Sequence, residues 1–339
     1  MRARRIATLV GVLLCVAWTA LAASWDRPVK VVATDRLTVT TPAGNGAVPI
    51  YVSDDWSHAL PGIHRVVIMV HGIDRNVDSY VRSVRAARDA AGGDPQATLL
   101  IAPQFLADVD VAAFHLPSAV LHWDADNWQA GEPAHGPVAL SAFDVFDAIL
   151  RRVADRALLP AVTTVVVAGH SAGGQVVHRY SIVGRGEGLL IGHGVHVRYV
   201  VANPSSYLYL SAERPERVDA ATCPGFNRWR YGLLDPPPYV GSTAGLDAPF
   251  AARDVIYLLG TADVDPHQSD LATNCSAEAE GAYRLVRGTN YFAYLKGRYR
   301  VGFAQRLALV PGVAHQAGRM FNSACGLAAL FDHPGCPGL

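Results

Sequence analysis

Charge is scarce in this sequence, and balanced where it occurs. Only 17% of the 339 residues are charged, and 29 basic residues offset 29 acidic ones, for a formal net charge of zero. No basic stripe is available to nucleic acid, and no block of like charge forms an interaction tail. Nucleic acid is therefore not an expected partner. Internal repeats and low-complexity tracts are also missing, which excludes a solenoid or a long linker. The five cysteines include no Cys-x-x-Cys or Cys-x-x-His spacing. A zinc site of ordinary pattern is not expected, and no metal ligand is assigned.

What the chain does have is apolar residues, half of the total. That is enough for one large domain, or one domain with a cap. Arg2, Arg4 and Arg5 precede an apolar run over 6–21, and Ala20-Leu21-Ala22 offers the small-x-small pattern of a cleavage site. Residues 1–22 read as a signal peptide, leaving 23–339 secreted or periplasmic with no stable membrane anchor. The run is short for a span, and Leu14 before Cys15 speaks against a lipid anchor. The mature chain keeps Cys223, Cys275, Cys325 and Cys336. An even number in an exported chain implies two disulfides, with free thiols as the alternative. Cys325 and Cys336 lie close together beyond the last helical pattern, so they are paired, leaving Cys223 with Cys275.

Short runs of Val, Ile and Leu at 66–70, 98–102, 163–168, 197–202, 255–260 and 307–310 read as strands buried on both faces. Helical patterns fall between several of them, over 78–91, around Phe143, Phe146, Ile149, Leu150 and Val153, and from Ala172. The alternation predicts an α/β fold with a mostly parallel sheet flanked by helices. Segments near 30–40 and 48–52 could add an antiparallel edge. Two connections, 103–137 and 203–249, are too long for simple crossovers and read as loop-rich cap insertions in a single domain. They carry aromatics, of which Trp123, Trp128, Tyr207 and Trp229 are candidate substrate-wall residues. Packing of the loops onto the sheet is the competing reading. Oligomeric state is not legible.

The chemistry centres on Gly169-His170-Ser171-Ala172-Gly173. A Gly-x-Ser-x-Gly that ends a strand and opens a helix aims a serine hydroxyl at a helix N-terminus. A serine needs a base, and the base an orienting acid. His315 follows the last strand. Asp263 stands three residues after Gly260, with Asp265 as the rival acid. All three positions fall at C-terminal ends of strands, where open α/β sheets place their sites. The oxyanion donors are the backbone N–H groups of Ala172 and of Ile73, in the loop His71-Gly72-Ile73. His71 is expected to shape that loop, and Asp74 and Arg75 read as a local ion pair.

With its "VHGIDRN", "GHSAGG", "LLGTAD" and "VPGVAH" segments, the chain resembles the α/β-hydrolase superfamily over about 63–331. It is most similar to secreted hydrolases whose motifs include HG-x-x-RN and PG-x-x-H-x-x-x-x-MF. The resemblance implies an α/β-hydrolase fold and a serine hydrolase with the chain order Ser-Asp-His, without metal or organic cofactor. It departs from esterases with a His-Gly-Gly-Gly loop, because Ile73 follows Gly72. The expected substrate is a small-molecule or polymeric carboxylic ester, apolar or polymeric in its acyl part. A peptidase or amidase on the same fold is the first alternative, and a binding protein without turnover the second.

Overall fold

The structure is a computed structural model that describes residues 24–339. The expected signal peptide at 1–22 lies outside the described residues. The Val-, Ile- and Leu-rich runs become strands because β-branched side chains fit a pleated surface covered on both sides. Eight strands make one sheet: β1 (Asp35–Thr41), β2 (Gly44–Val52), β3 (Arg65–Val70), β4 (Thr98–Pro103), β7 (Thr164–His170), β8 (His196–Ala202), β9 (Asp254–Gly260) and β10 (Arg306–Val310). A separate parallel pair, β5 (Leu106–Ala107) and β6 (His122–Trp123), lies inside the first insertion. The sheet order is β1-β2-β4-β3-β7-β8-β9-β10. β1, β2 and β4 pair antiparallel, and every pair from β4 to β10 is parallel.

Parallel neighbours need crossovers. The helices are α1 (Val77–Ala90), α2 (Asp108–Phe114), α3 (Ala142–Val153), α4 (Ala172–Val183) and α5 (Glu187–Gly192), then α6 (Asp247–Ala252), α7 (Cys275–Glu278), α8 (Arg284–Arg298), α9 (Ala317–Phe321) and α10 (Ala324–Phe331). Side chains alternate across each strand, so the sheet feeds two cores. Val66, Ile68 and Val70 join Phe143, Phe146 and Ile149 of α3 on one side. Val67 and Met69 join Tyr80 and Val84 of α1, and Met320 and Phe321 of α9, on the other. Ser141 fixes the start of α3: its hydroxyl accepts from Phe143 N–H (3.0 Å), and Asp144 accepts from Ser141 N–H (2.9 Å).

From β3 the chain moves to β4 on one side, and later to β7 on the other. Such a reversal opens a crevice at the C-terminal edge, where the loops after β3 and β7 diverge.

Of the aromatic residues of the two insertions, Tyr231 lines the cavity beside Ser171, whereas the four read as a substrate wall pack elsewhere. Trp123, Trp128 and Tyr207 are fully buried. Trp123 and Trp128 pack on Phe105, with ring centroids 5.5 and 5.1 Å away, and Tyr207 stacks on Tyr291 at 4.6 Å. Trp229 is half-buried and donates its indole N–H to the Ala130 carbonyl, 2.6 Å away, tying one insertion to the other. The four residues read as a substrate wall thus anchor the insertions, because burying an indole or phenol ring stabilises more than leaving it at a polar rim. Cys223 is bonded to Cys275, and Cys325 to Cys336. Among the described residues, no helix is long and apolar enough to cross a membrane.

Candidate active site

Ser171 joins β7 to α4 with φ 59° and ψ −122°. A side chain held at positive φ costs about 1–3 kcal/mol, and such strain persists only where neighbours dictate it. Here they do. Ser171 N–H donates to Ala202 O on β8 (3.0 Å), and the helix closes over the turn. A Cβ on Gly169 would sit 2.3 Å from the Gly173 backbone. One on Gly173 would sit 2.5 Å from the carbonyls of Val70 and His71. Glycine is required at both positions by backbone contact. The first turn of α4 leaves the N–H of Ala172 without an intrahelical acceptor.

The loop after β3 faces this turn. His71 is buried, and burial, reinforced by Arg75, drives its pKa down to about 4 against hydrogen bonding to Gly72. The neutral ring donates from Nδ1 to the Gly72 carbonyl (2.8 Å) and accepts at Nε2 from Phe105 N–H (2.9 Å). It therefore shapes the loop. Arg75 is also fully buried. It pairs with Asp110, 35 residues on, at 2.6 Å from Nε. The same guanidinium donates to the carbonyls of Trp25 (2.8 Å), Arg27 (2.9 Å) and Ile73 (3.3 Å). The lock holds Ile73 and ties the N-terminal segment to the loop.

Across the crevice, Asp263 is buried after β9, and its Oδ2 accepts Nδ1–H of His315 at 2.7 Å. Asp265 instead lies exposed and accepts from His267 N–H (2.9 Å). The second nitrogen of His315, Nε2, has no well-aligned hydrogen-bond partner. The nearest charge is Asp270 Oδ2 at 3.2 Å, within ion-pair reach but off hydrogen-bonding alignment. Arg284 lies behind both carboxylates, 3.0 Å from Asp270 and 3.7 Å from Asp263. Burial opposes the ionisation of Asp270, but His315 and Arg284 outweigh it and hold the carboxyl below its usual range. His170 packs on His315 at 4.5 Å between ring centroids. Burial, then the neighbouring His315 and Arg284, keep His170 neutral.

Two cavities flank Ser171, of about 570 and 400 Å³, and share Ile73, Ser171, Ser269 and Asp270. Trp25, Asp126, Gln129, Gln175, Ser205 and Arg230 line the larger. Tyr80, His170 and His315 line the smaller. The larger wall is polar and ordered: Gln175 Nε2 donates to Gln129 Oε1 (2.7 Å) and Ser205 Oγ (3.3 Å). Sequence reasoning missed Asp270, Arg284, Trp25 and this glutamine pair. Gln175 alone carried a signal, since it lies four residues after Ser171 on the same helix face.

No protein-family model matches the sequence, and the comparison with curated proteins finds no match. Solved structures do resemble it. A poly(aspartic acid) hydrolase-1 from Sphingomonas sp. KT-1 shares 23% identity, covering 87% of this chain and 96% of its own, with a TM-score of 0.57. A poly(3-hydroxybutyrate) depolymerase from Bordetella parapertussis shares 20% identity over 89% of this chain and 92% of its own, with a TM-score of 0.59.

Proposed function

We propose that this chain, which has the α/β-hydrolase fold, is an exported serine hydrolase that cleaves carboxylic esters through an acyl-enzyme. The carrying observation is one constellation: Ser171 on a strained strand-to-helix turn shares a cavity with His315, whose Nδ1–H is held by the buried Asp263. In the proposed reaction, Nε2 of His315 takes the Ser171 proton as Oγ attacks the ester carbonyl. Asp263 fixes the imidazole tautomer and stabilises the imidazolium. The N–H groups of Ala172 and Ile73 receive the oxyanion. The imidazolium returns its proton to the leaving alcohol, and water then repeats the sequence on the acyl-serine. The two disulfides support export, because they persist in oxidising compartments.

Space on both sides of Ser171 supports a substrate that extends beyond the scissile bond in both directions, as a polymer does. The polar lining of the larger cavity, with Asp126, Gln129, Gln175, Ser205 and Arg230, favours an acyl part with its own polar groups over a long fatty chain. The neighbours' names give one substrate with an amide backbone and one with an ester backbone. A panel of p-nitrophenyl hydroxyacyl and fatty esters beside peptide anilides separates these readings. Fastest turnover of short, polar esters is expected. Faster cleavage of anilides would transfer the assignment to an amidase. Ser171→Ala should lower turnover by about 10⁶-fold with an unchanged fold. Residual activity within tenfold of wild type would end the serine assignment.

A further inference from the structure

A second cluster of chemistry-bearing side chains lies in the first insertion, outside the catalytic constellation. Asp108 opens α2, His122 lies in β6, and His135 lies on the segment that pairs with β6. Both imidazoles turn the same atom toward the same carboxylate. His122 Nδ1 is 2.8 Å from Asp108 Oδ1, and His135 Nδ1 is 3.1 and 3.0 Å from Asp108 Oδ1 and Oδ2. The ligand atoms of the three residues all lie within 4.8 Å of one another.

We propose that Asp108, His122 and His135 form a binding site for a divalent transition metal of the zinc class. The donor set is two imidazole nitrogens and one carboxylate oxygen, which suits such ions and not calcium or magnesium. A tetrahedral zinc ion with bonds of about 2.0–2.1 Å places its ligand atoms roughly 3.3 Å apart. The two imidazole–carboxylate distances therefore need to widen by only a few tenths of an ångström to admit the ion, and the two imidazole nitrogens lie within 4.8 Å of each other, with water in the fourth position.

A metal-bound imidazole carries its remaining proton on the opposite nitrogen, and an outer carboxylate commonly accepts it. His135 has that arrangement: its Nε2 lies 3.3 Å from Asp124 Oδ2. The backbone beneath the ligands is already paired. Leu106 is in register with His122 across β5 and β6, His122 N–H donates to Gly136 O (3.3 Å), and His135 N–H donates to His122 O (2.8 Å). Three adjacent segments thus present one ligand each, so binding orders little new chain. Asp124 starts the stretch that delivers Asp126 and Gln129 to the larger catalytic cavity. The ion would act as a clip on that wall and take no part in bond cleavage.

The test uses the mature chain after exhaustive chelation. Zinc is titrated by calorimetry and by thermal unfolding, for wild type and for the variants His122→Ala, His135→Gln and His315→Ala. One equivalent of zinc should bind wild type and raise its Tm, while calcium does neither. Affinity should fall at least tenfold in both insertion variants and stay unchanged in His315→Ala. Cobalt in place of zinc should give the intense visible absorption of a tetrahedral nitrogen–oxygen site in wild type, lost in His122→Ala. Absence of stoichiometric binding overturns the proposal. So does binding that survives His122→Ala and His135→Gln, or that disappears in His315→Ala. None of these readouts depends on ester hydrolysis.

Discussion

At the scale of single residues, the structure ranks three aspartates that sit close together in sequence. Asp263 holds His315, Asp270 lies against its other nitrogen, and Asp265 faces solvent. His315→Ala should match Ser171→Ala in severity, because nucleophile and base act as a unit. Asp263→Asn should cost about 10⁴-fold by leaving the wrong tautomer, and Asp265→Asn should be silent in kcat. If Asp265→Asn is the more damaging change, the acid is misassigned. Arg75→Met strands a buried Asp110 and should destabilise the fold by about 3–5 kcal/mol in urea denaturation. The placement of Ser171, Asp263 and His315 just after strands β7, β9 and β10 was legible because each follows an apolar run with a recognisable turn. The pairing of Arg75 with Asp110 was not, because the two lie 35 residues apart and no motif joins them. Asp270 lies in a loop and Arg284 opens α8, and neither position carries a motif, so only the folded chain brings them together.

At the scale of elements, the strand-to-helix turn is the least replaceable part. Gly169→Ala or Gly173→Ala forces a methyl into backbone atoms at 2.5 Å or less, which no rotamer change relieves. Either variant should lose activity and unfold at lower temperature than Ser171→Ala, as circular dichroism melts would read. The disulfide from Cys223 to Cys275, 52 residues apart, links the second insertion to the loop beyond Asp263. By loop-closure entropy it contributes about 4 kcal/mol, so Cys223→Ser should lower both Tm and ester turnover. Loss of Cys325–Cys336, with its separation of 11 residues, should cost less and spare activity. Six strands and the antiparallel edge could be read from runs of β-branched and other aliphatic residues, but β10, read as buried on both faces, is an edge strand with Leu309 exposed, because no further strand covers it. β5, β6 and the shortest helices could not be read, since elements of two to seven residues span two periods at most, too few to establish a pattern. The indole and phenol rings of the insertions misled for a related reason. Composition places aromatics in a loop but does not say which side of the loop meets the sheet.

At the scale of the molecule, the edge of the sheet opposite the active site is tied by charge. Arg198 of β8 bonds Asp254 of β9 (2.8 Å) and Asp332 after α10 (2.7 Å), while Arg306 of β10 bonds Asp254 (2.6 Å) and Arg65 of β3 bonds Asp332. Burial raises the pKa of both carboxyls, but the arginines outweigh it and leave each below its ordinary value. A carboxyl depressed in the folded state stabilises above its unfolded pKa of about 3.9 and loses that contribution as pH falls through the folded value. Urea midpoints should therefore fall on acidification below about pH 4–5, and Asp254→Asn should flatten that fall. An unchanged slope in Asp254→Asn would show that this network does not govern acid stability.

The claim on which the functional account stands is that Ser171 is an activated nucleophile served by His315. Intact-mass analysis after exposure to a fluorophosphonate, followed by peptide mapping, tests it directly. The account predicts one adduct per chain, on the peptide bearing Ser171, formed at a rate that collapses in His315→Ala. No adduct, an adduct on another serine, or equal labelling of His315→Ala would contradict it.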